Sequence, residues 1–74
     1  MASQVPVISG REAVHVFGQF GWRFTRQSGS HAIPAKQGGS VTLSVPDHRE
    51  VARGTLRAPI RSAGLTIEEF NAKL

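Results

Sequence analysis

Two glycine-bearing turns constrain this chain more than any other feature. Ser28-Gly29 and Gln37-Gly38-Gly39-Ser40 cut its middle into three short stretches. Connections this short join strands antiparallel, because parallel pairing needs a long crossover. Trp22-Arg23-Phe24-Thr25-Arg26-Gln27 alternates apolar and polar residues as a half-buried strand does. Ser30 to Ala35 reads as a second, weaker strand, cut short by Pro34, which cannot donate to a ladder. Val41-Thr42-Leu43-Ser44-Val45 is a third strand, and Pro46 ends it. The expected unit is a three-stranded antiparallel meander.

Helix signals flank it. Ser9 and Glu12 have the spacing of a capping box, followed at helical spacing by Ala13, Val14, Phe17 and Phe20, with Gly21 as the stop and Val7 as a staple. Asp47 to Arg53 is a polar connection. Thr55 to Ala63 reads as a second helix with Leu56, Ile60 and Ala63 on one face and Gly64 as its stop, and Pro59 requires the first turn there. Thr66 and Glu69 form a second capping box that opens a short final helix through Phe70. The order is αβββα plus a short C-terminal helix. It is an α+β fold, like a double-stranded-RNA-binding domain, with the helices packed on one face of the sheet. Residues 1–8 are expected to be a flexible segment and residues 9–74 a single domain.

The turns also suggest a register. A turn at Ser28-Gly29 puts His31 opposite Arg26 and Ile33 opposite Phe24. A turn at Gly38-Gly39 puts His31 near Val45 and Ile33 near Leu43. One face then carries Trp22, Phe24, Ile33, Val41, Leu43 and Val45 beneath the helices, with His31 and Arg26 at its open end. Arg23, Thr25, Gln27, Ala32, Thr42 and Ser44 face water.

Composition narrows the function classes. The 74 residues include no cysteine, which excludes disulfide frameworks, zinc ribbons and thiol nucleophiles and fits a cytoplasmic location. No apolar run approaches the ~20 residues of a membrane span, and Met1 to Pro6 lack the pattern of a signal peptide. Nine Lys and Arg, seven of them Arg, face five carboxylates, for a net charge of +4. Arginine grips phosphate in bidentate fashion and stacks on bases, so this balance points to nucleic acid.

Three histidines could carry chemistry. A free imidazole titrates near ~6.5, so a histidine can take or give a proton at neutral pH. His31, at the rim of the apolar face, reads either as a structural histidine satisfied by backbone or as a general acid or base. His48, ~10 Å further along the sheet edge at ~3.4 Å per residue, is the second candidate, for catalysis or phosphate contact. Its plainer reading is a solvated turn residue beside Asp47. His15 is a helix-surface residue. No spacing beyond Asp47-His48 resembles a metal-ligand set, and no Gly-x-Ser-x-Gly elbow supports a serine hydrolase, so no metal or other cofactor is expected. Arg53, Arg57 and Arg61 line one helical stripe that has no opposing carboxylates. That stripe is either an exposed face or a phosphate track extended by the helix start at Gly54-Thr55.

Taken together, Gly21-Trp22, Arg26, Gly29-Ser30-His31, Val45-Pro46 with His48, Gly54-Thr55-Leu56, and Ala63-Gly64-Leu65 with Glu69-Phe70 resemble the HicA family of toxins. The likeness runs from about Ser9 to Phe70. It implies a double-stranded-RNA-binding-like fold and a ribosome-independent mRNA interferase, held in check by a HicB-like antitoxin encoded beside it. The histidine of the family's Gly-Ser-His motif corresponds to His31. The chain departs from the family at Ala32-Ile33-Pro34 and at Pro59. On this reading His31 is the catalytic residue, and Arg26, Ser30, Lys36, Arg53, Thr55, Arg57 and Arg61 are the candidate RNA contacts. Two rival readings stand beside it: a non-catalytic RNA-binding module of the same fold, and an interaction subunit whose basic face meets an acidic protein.

Overall fold

The computed structural model describes residues 4–36 and 38–74. The elements run α1 (Gly10–Gly18), β1 (Trp22–Ser28), β2 (His31–Lys36), β3 (Val45–Pro46), α2 (Arg53–Ser62) and α3 (Ile67–Asn71). The sheet is antiparallel in the order β1-β2-β3, so the fold is α+β in the expected αβββα order with a short C-terminal helix. Gln37 of the second turn and Met1 to Ser3 of the N-terminal segment lie outside the described residues.

Both capping boxes form. The Ser9 hydroxyl accepts from the Glu12 amide at 3.0 Å, and the Glu12 carboxylate accepts from the Ser9 amide at 3.1 Å. Thr66 and Glu69 do the same for α3. These are contacts over three residues, which local sequence specifies directly. The buried stripe of α1 is Gly10, Ala13, Val16 and Phe17, with Val14 and Phe20 only partly covered. Val7 is half exposed and does not act as the staple. Ile8, the residue next to the cap, is buried and bridges to Val51. Within residues 4–8, Val5 and Ile8 thus pack against the rest of the chain, while Gln4 and Val7 are exposed. Val5 is only 1% exposed and belongs to the core, where withdrawal of its apolar surface from water is favourable.

The sheet corrects the expected register. The first hairpin closes at Ser28↔His31 around a two-residue Gly29-Ser30 turn, and Gly29, at φ 58°, takes the positive-φ position such a turn requires. The partners are then Gln27↔Ala32, Arg26↔Ile33, Phe24↔Pro34 and Trp22↔Lys36, with a bulge between Phe24 and Arg26. The extra residue is Thr25, whose hydroxyl donates to the Ile33 carbonyl at 2.6 Å. A bulge shifts every residue after it to the other face. Trp22, Phe24, Gln27, Ala32 and Pro34 therefore share the helix side, while Arg23, Arg26, Ser28, His31 and Ile33 share the side facing away from the helices.

Several placements change with it. Trp22, Leu43 and Val45 enter the core as expected, but Phe24 and Val41 are 50% and 52% exposed. Ile33 is buried yet lies on the outer side, and Ala32, expected in water, is buried on the helix side. Pro34 sits inside β2 rather than ending it. Its missing amide falls beside the bulge, where the ladder is already interrupted, and its carbonyl still accepts from the Leu43 amide at 2.8 Å. The third strand shrinks to Val45–Pro46, with Thr42 held only by a bridge to Ala35. Pro46 pairs with His31 instead of ending the strand before it.

Helix α2 starts at Arg53, which makes Pro59 its seventh residue and not a first-turn residue. One backbone bond is lost there, and the ring is buried. Leu56 and Ile60 reach the common core with Phe17 and Phe70, whose rings lie 5.1 Å apart at 54°. Phe70 is fully buried, so Phe70→Ala should cost about 3–5 kcal/mol. In a chain this short that is a large share of total stability. A circular-dichroism melt should show it as a collapse of the cooperative transition.

Candidate active site and basic surface

His31 opens β2 immediately after the turn and is partly exposed. Its Nδ1 lies 3.5 Å from the Ser30 hydroxyl, and its strand partners are Ser28 and Pro46. Arg26, two residues before Ser28, is its diagonal neighbour on the same side, a relation that sets Cα atoms about 7–8 Å apart. The expected neighbourhood of His31 and Arg26 thus holds, although their side of the sheet does not. They lie on the face turned away from the helices, because the Thr25 bulge carries Arg26 across. Arg23 joins that side as well. Sequence reading placed it apart from His31, and only a signal for the bulge could have found it.

The turn is anchored. The Ser30 carbonyl accepts from the Asp47 amide at 2.7 Å, and the Asp47 carboxylate accepts from the Gln27 side chain at 3.2 Å. His48 follows two residues after Pro46, the strand partner of His31, beyond the end of β3. It is exposed, and it lines a groove with Ser9, Arg11, Asp47 and Arg49 at the start of α1. Its carbonyl accepts from the Gly10 amide at 2.8 Å. His15 is exposed on α1, as expected.

The other candidate contacts do not gather around His31. Lys36 lies at the far end of β2 on the opposite side, with its Nζ 5.8 Å from the centre of the Trp22 ring. Arg53 donates to the Gln4 side chain at 3.0 Å. Thr55 is exposed, and its amide closes the first turn of α2 on Ala52. Arg57 and Arg61 line a groove between α2 and α3 with Leu65 and Thr66. Among the described residues the one ion pair is Arg11–Asp47 at 3.8 Å, an exposed contact of small worth. Arg23, Arg26, Arg57 and Arg61 therefore keep their charge free for an anionic partner.

A partly exposed histidine, next to unpaired arginines on the open side of a small sheet, suits proton transfer on a polyanion more than on an enclosed small molecule. The fold and site define a small basic α+β domain with a partly exposed histidine and unpaired arginines on one side of its sheet. The family model described as the HicA toxin of bacterial toxin-antitoxin systems matches residues 10–65, and the chain belongs to that family. It is thus the toxin component of such a system, with an antitoxin as partner. No curated protein matches the chain. No helix is long and apolar enough to cross a membrane among the described residues.

Proposed function

We propose that this toxin is an endoribonuclease that cleaves mRNA by metal-independent acid–base chemistry at His31. The observation that carries the reading is the partly exposed imidazole on one side of the sheet with the unpaired Arg26. In the reaction, a base removes the proton of a ribose 2′-hydroxyl, and the oxygen attacks the adjacent phosphorus. The bond to the 5′-oxygen breaks, an acid protonates that oxygen, and a 2′,3′-cyclic phosphate and a 5′-hydroxyl result. His31 serves one of the two proton transfers, and His48 is the candidate for the other. Arg26 neutralises the phosphate while its charge builds up. Mapping the ends of cleaved mRNA tests this route. Ends with 5′-hydroxyls are expected, and 5′-phosphates would overturn it.

Ser30, whose hydroxyl lies 3.5 Å from the His31 Nδ1, would steady the imidazole and the phosphate. Lys36, Arg53, Thr55, Arg57 and Arg61 would grip RNA further from the scissile bond without reading its sequence. Affinity for RNA should then fall steeply with salt, by about 0.7 in log–log slope for each phosphate neutralised on a single strand. Arg57→Gln and Arg61→Gln should each reduce that slope by about this amount, and a flat response in the parent chain would remove the arginine track. The antitoxin on this reading is a HicB-like protein, encoded beside the toxin in the same cytoplasm, whose acidic surface covers the basic side that RNA would use.

A further inference from the structure

Phe24 is half exposed although the strand pairing turns it toward the helix-covered side of the sheet. The reason lies next to it. The strand floor there is the small side chain of Ala32, and α1 leaves an open cleft of about 210 Å³ above it, lined by Arg11, Val14, Phe24, Gln27, Ala32 and Asp47. Its polar edge is unusual. The Gln27 Nε2 donates to Asp47 Oδ2 at 3.2 Å, so an amide proton is used inside the pair. The Gln27 carbonyl oxygen carries no hydrogen bond among the described residues. The Asp47 carboxylate keeps spare lone pairs, since Arg11 approaches only to 3.8 Å. The cleft thus offers the Phe24 ring and, beside it, two acceptors. The second Gln27 Nε2 proton and the Arg11 guanidinium stand with them as donors for a ring nitrogen or carbonyl next to an amino group.

We propose that this cleft holds a single unstacked nucleobase bearing an exocyclic amino group, and so takes adenine, cytosine or guanine in preference to uracil. The proposal rests on the reading that RNA is the ligand. A flat ring stacks on Phe24, and an amino group gives its protons to the Gln27 and Asp47 oxygens, which uracil cannot match at an exocyclic position. Single-stranded RNA is read in this manner, by splayed bases stacked on aromatic side chains and bonded along their edges. The location fits the chemistry proposed for His31. The pair Gln27↔Ala32 is the rung next to Ser28↔His31, so the cleft and the imidazole flank the same end of the hairpin on its two sides. A strand passing the Gly29-Ser30 turn can set its base in the cleft and its phosphate beside His31. Gln27 and Phe24 then determine which nucleotide is presented to the imidazole.

Binding tests this apart from cleavage. The His31→Ala chain is titrated by fluorescence anisotropy with an octauridylate and with octamers carrying one central adenine, cytosine, guanine or abasic site. The amino-bearing octamers should bind about fivefold more tightly than the octauridylate, the worth of one net hydrogen bond. Phe24→Leu, which keeps an apolar side chain but removes the ring, should bring them to the abasic level. Gln27→Ala should narrow the gap between amino-bearing bases and uracil. Circular dichroism confirms that each variant is folded. Equal binding of all bases, or no effect of Phe24→Leu, overturns the base pocket and leaves the RNA reading intact. Absence of binding to any octamer overturns both. A Phe24→Leu chain that binds RNA normally but loses its antitoxin overturns the pocket and reassigns the cleft to the protein partner.

Discussion

Substitution of His31 by Ala is expected to lower RNA cleavage by at least a hundredfold and to abolish growth arrest, with the fold unchanged. The magnitude follows from the chemistry, since a positioned general acid or base contributes about 10²–10⁴ in rate. The stability side follows from the surroundings. His31 is only partly buried, and the one side-chain contact its ring makes within hydrogen-bond range among the described residues, to the Ser30 hydroxyl, stands at the 3.5 Å limit. Removing the ring therefore empties no cavity in the core and strands no buried donor. A melt within a few degrees of the parent, together with intact mRNA after induced expression, is the expected pair of results. A His31→Ala chain that still cuts RNA at the parent rate would refute the assignment and leave the imidazole a structural role. A His48→Ala chain measured beside it separates the two histidines. If His48 supplies the second proton transfer, its loss should also slow cleavage by an order of magnitude or more, without changing the ends produced.

The second large effect concerns a residue with no side chain. Gly10, the first residue of α1, is buried against the segment that follows β3, and its amide donates to the His48 carbonyl at 2.8 Å. A Cβ at this position would overlap the Pro46 carbonyl oxygen and lie 3.0 Å from the Asp47 Cα. Both are backbone atoms and cannot swing aside. In an exposed helix Gly→Ala is worth up to ~1 kcal/mol of stability. At Gly10 the sign reverses, because the helix must retreat from Pro46 or the strand must leave β2. Gly10→Ala is expected to destabilise by about 3 kcal/mol or more, toward the upper end of overpacking costs, measured as a lower midpoint in urea. Gly54→Ala is the control. Nothing lies within 4 Å of an added Cβ there, so that change should leave stability equal or slightly higher. Equal midpoints for Gly10→Ala and its parent would mean that α1 does not seat on Pro46. Because Pro46 pairs with His31, the same variant should also impair cleavage in whatever fraction stays folded.

Much of this architecture was legible in the sequence. The two capping boxes, the helix faces led by Phe17 and by Leu56 with Ile60, and the antiparallel order of three strands all rest on contacts a few residues apart. Local sequence chooses these almost alone. His31 could be singled out because a histidine after a Gly-Ser turn is conspicuous, and because the motif order across the chain resembles one family.

The register was not legible, for a physical reason. Strand partners are chosen by the sum of pairings across the sheet, and one bulged residue reverses every side chain beyond it. Thr25 is such a residue, and nothing in Arg23-Phe24-Thr25-Arg26 distinguishes it from an ordinary strand position. The consequences were concrete: Phe24 left the core for a cleft, Gln27 came to the helix side of the sheet where it meets Asp47, and Arg23 came to share a side with Arg26 and His31. Val5 and Val51 were missed on similar grounds. Their burial depends on segments brought together by the folded chain, whereas each looks locally like loop. By itself, then, the sequence determined the elements, their order and the residue to suspect. Only the tertiary structure decided which side of the sheet that residue occupies and which neighbours stand with it, since those depend on non-local pairing and packing.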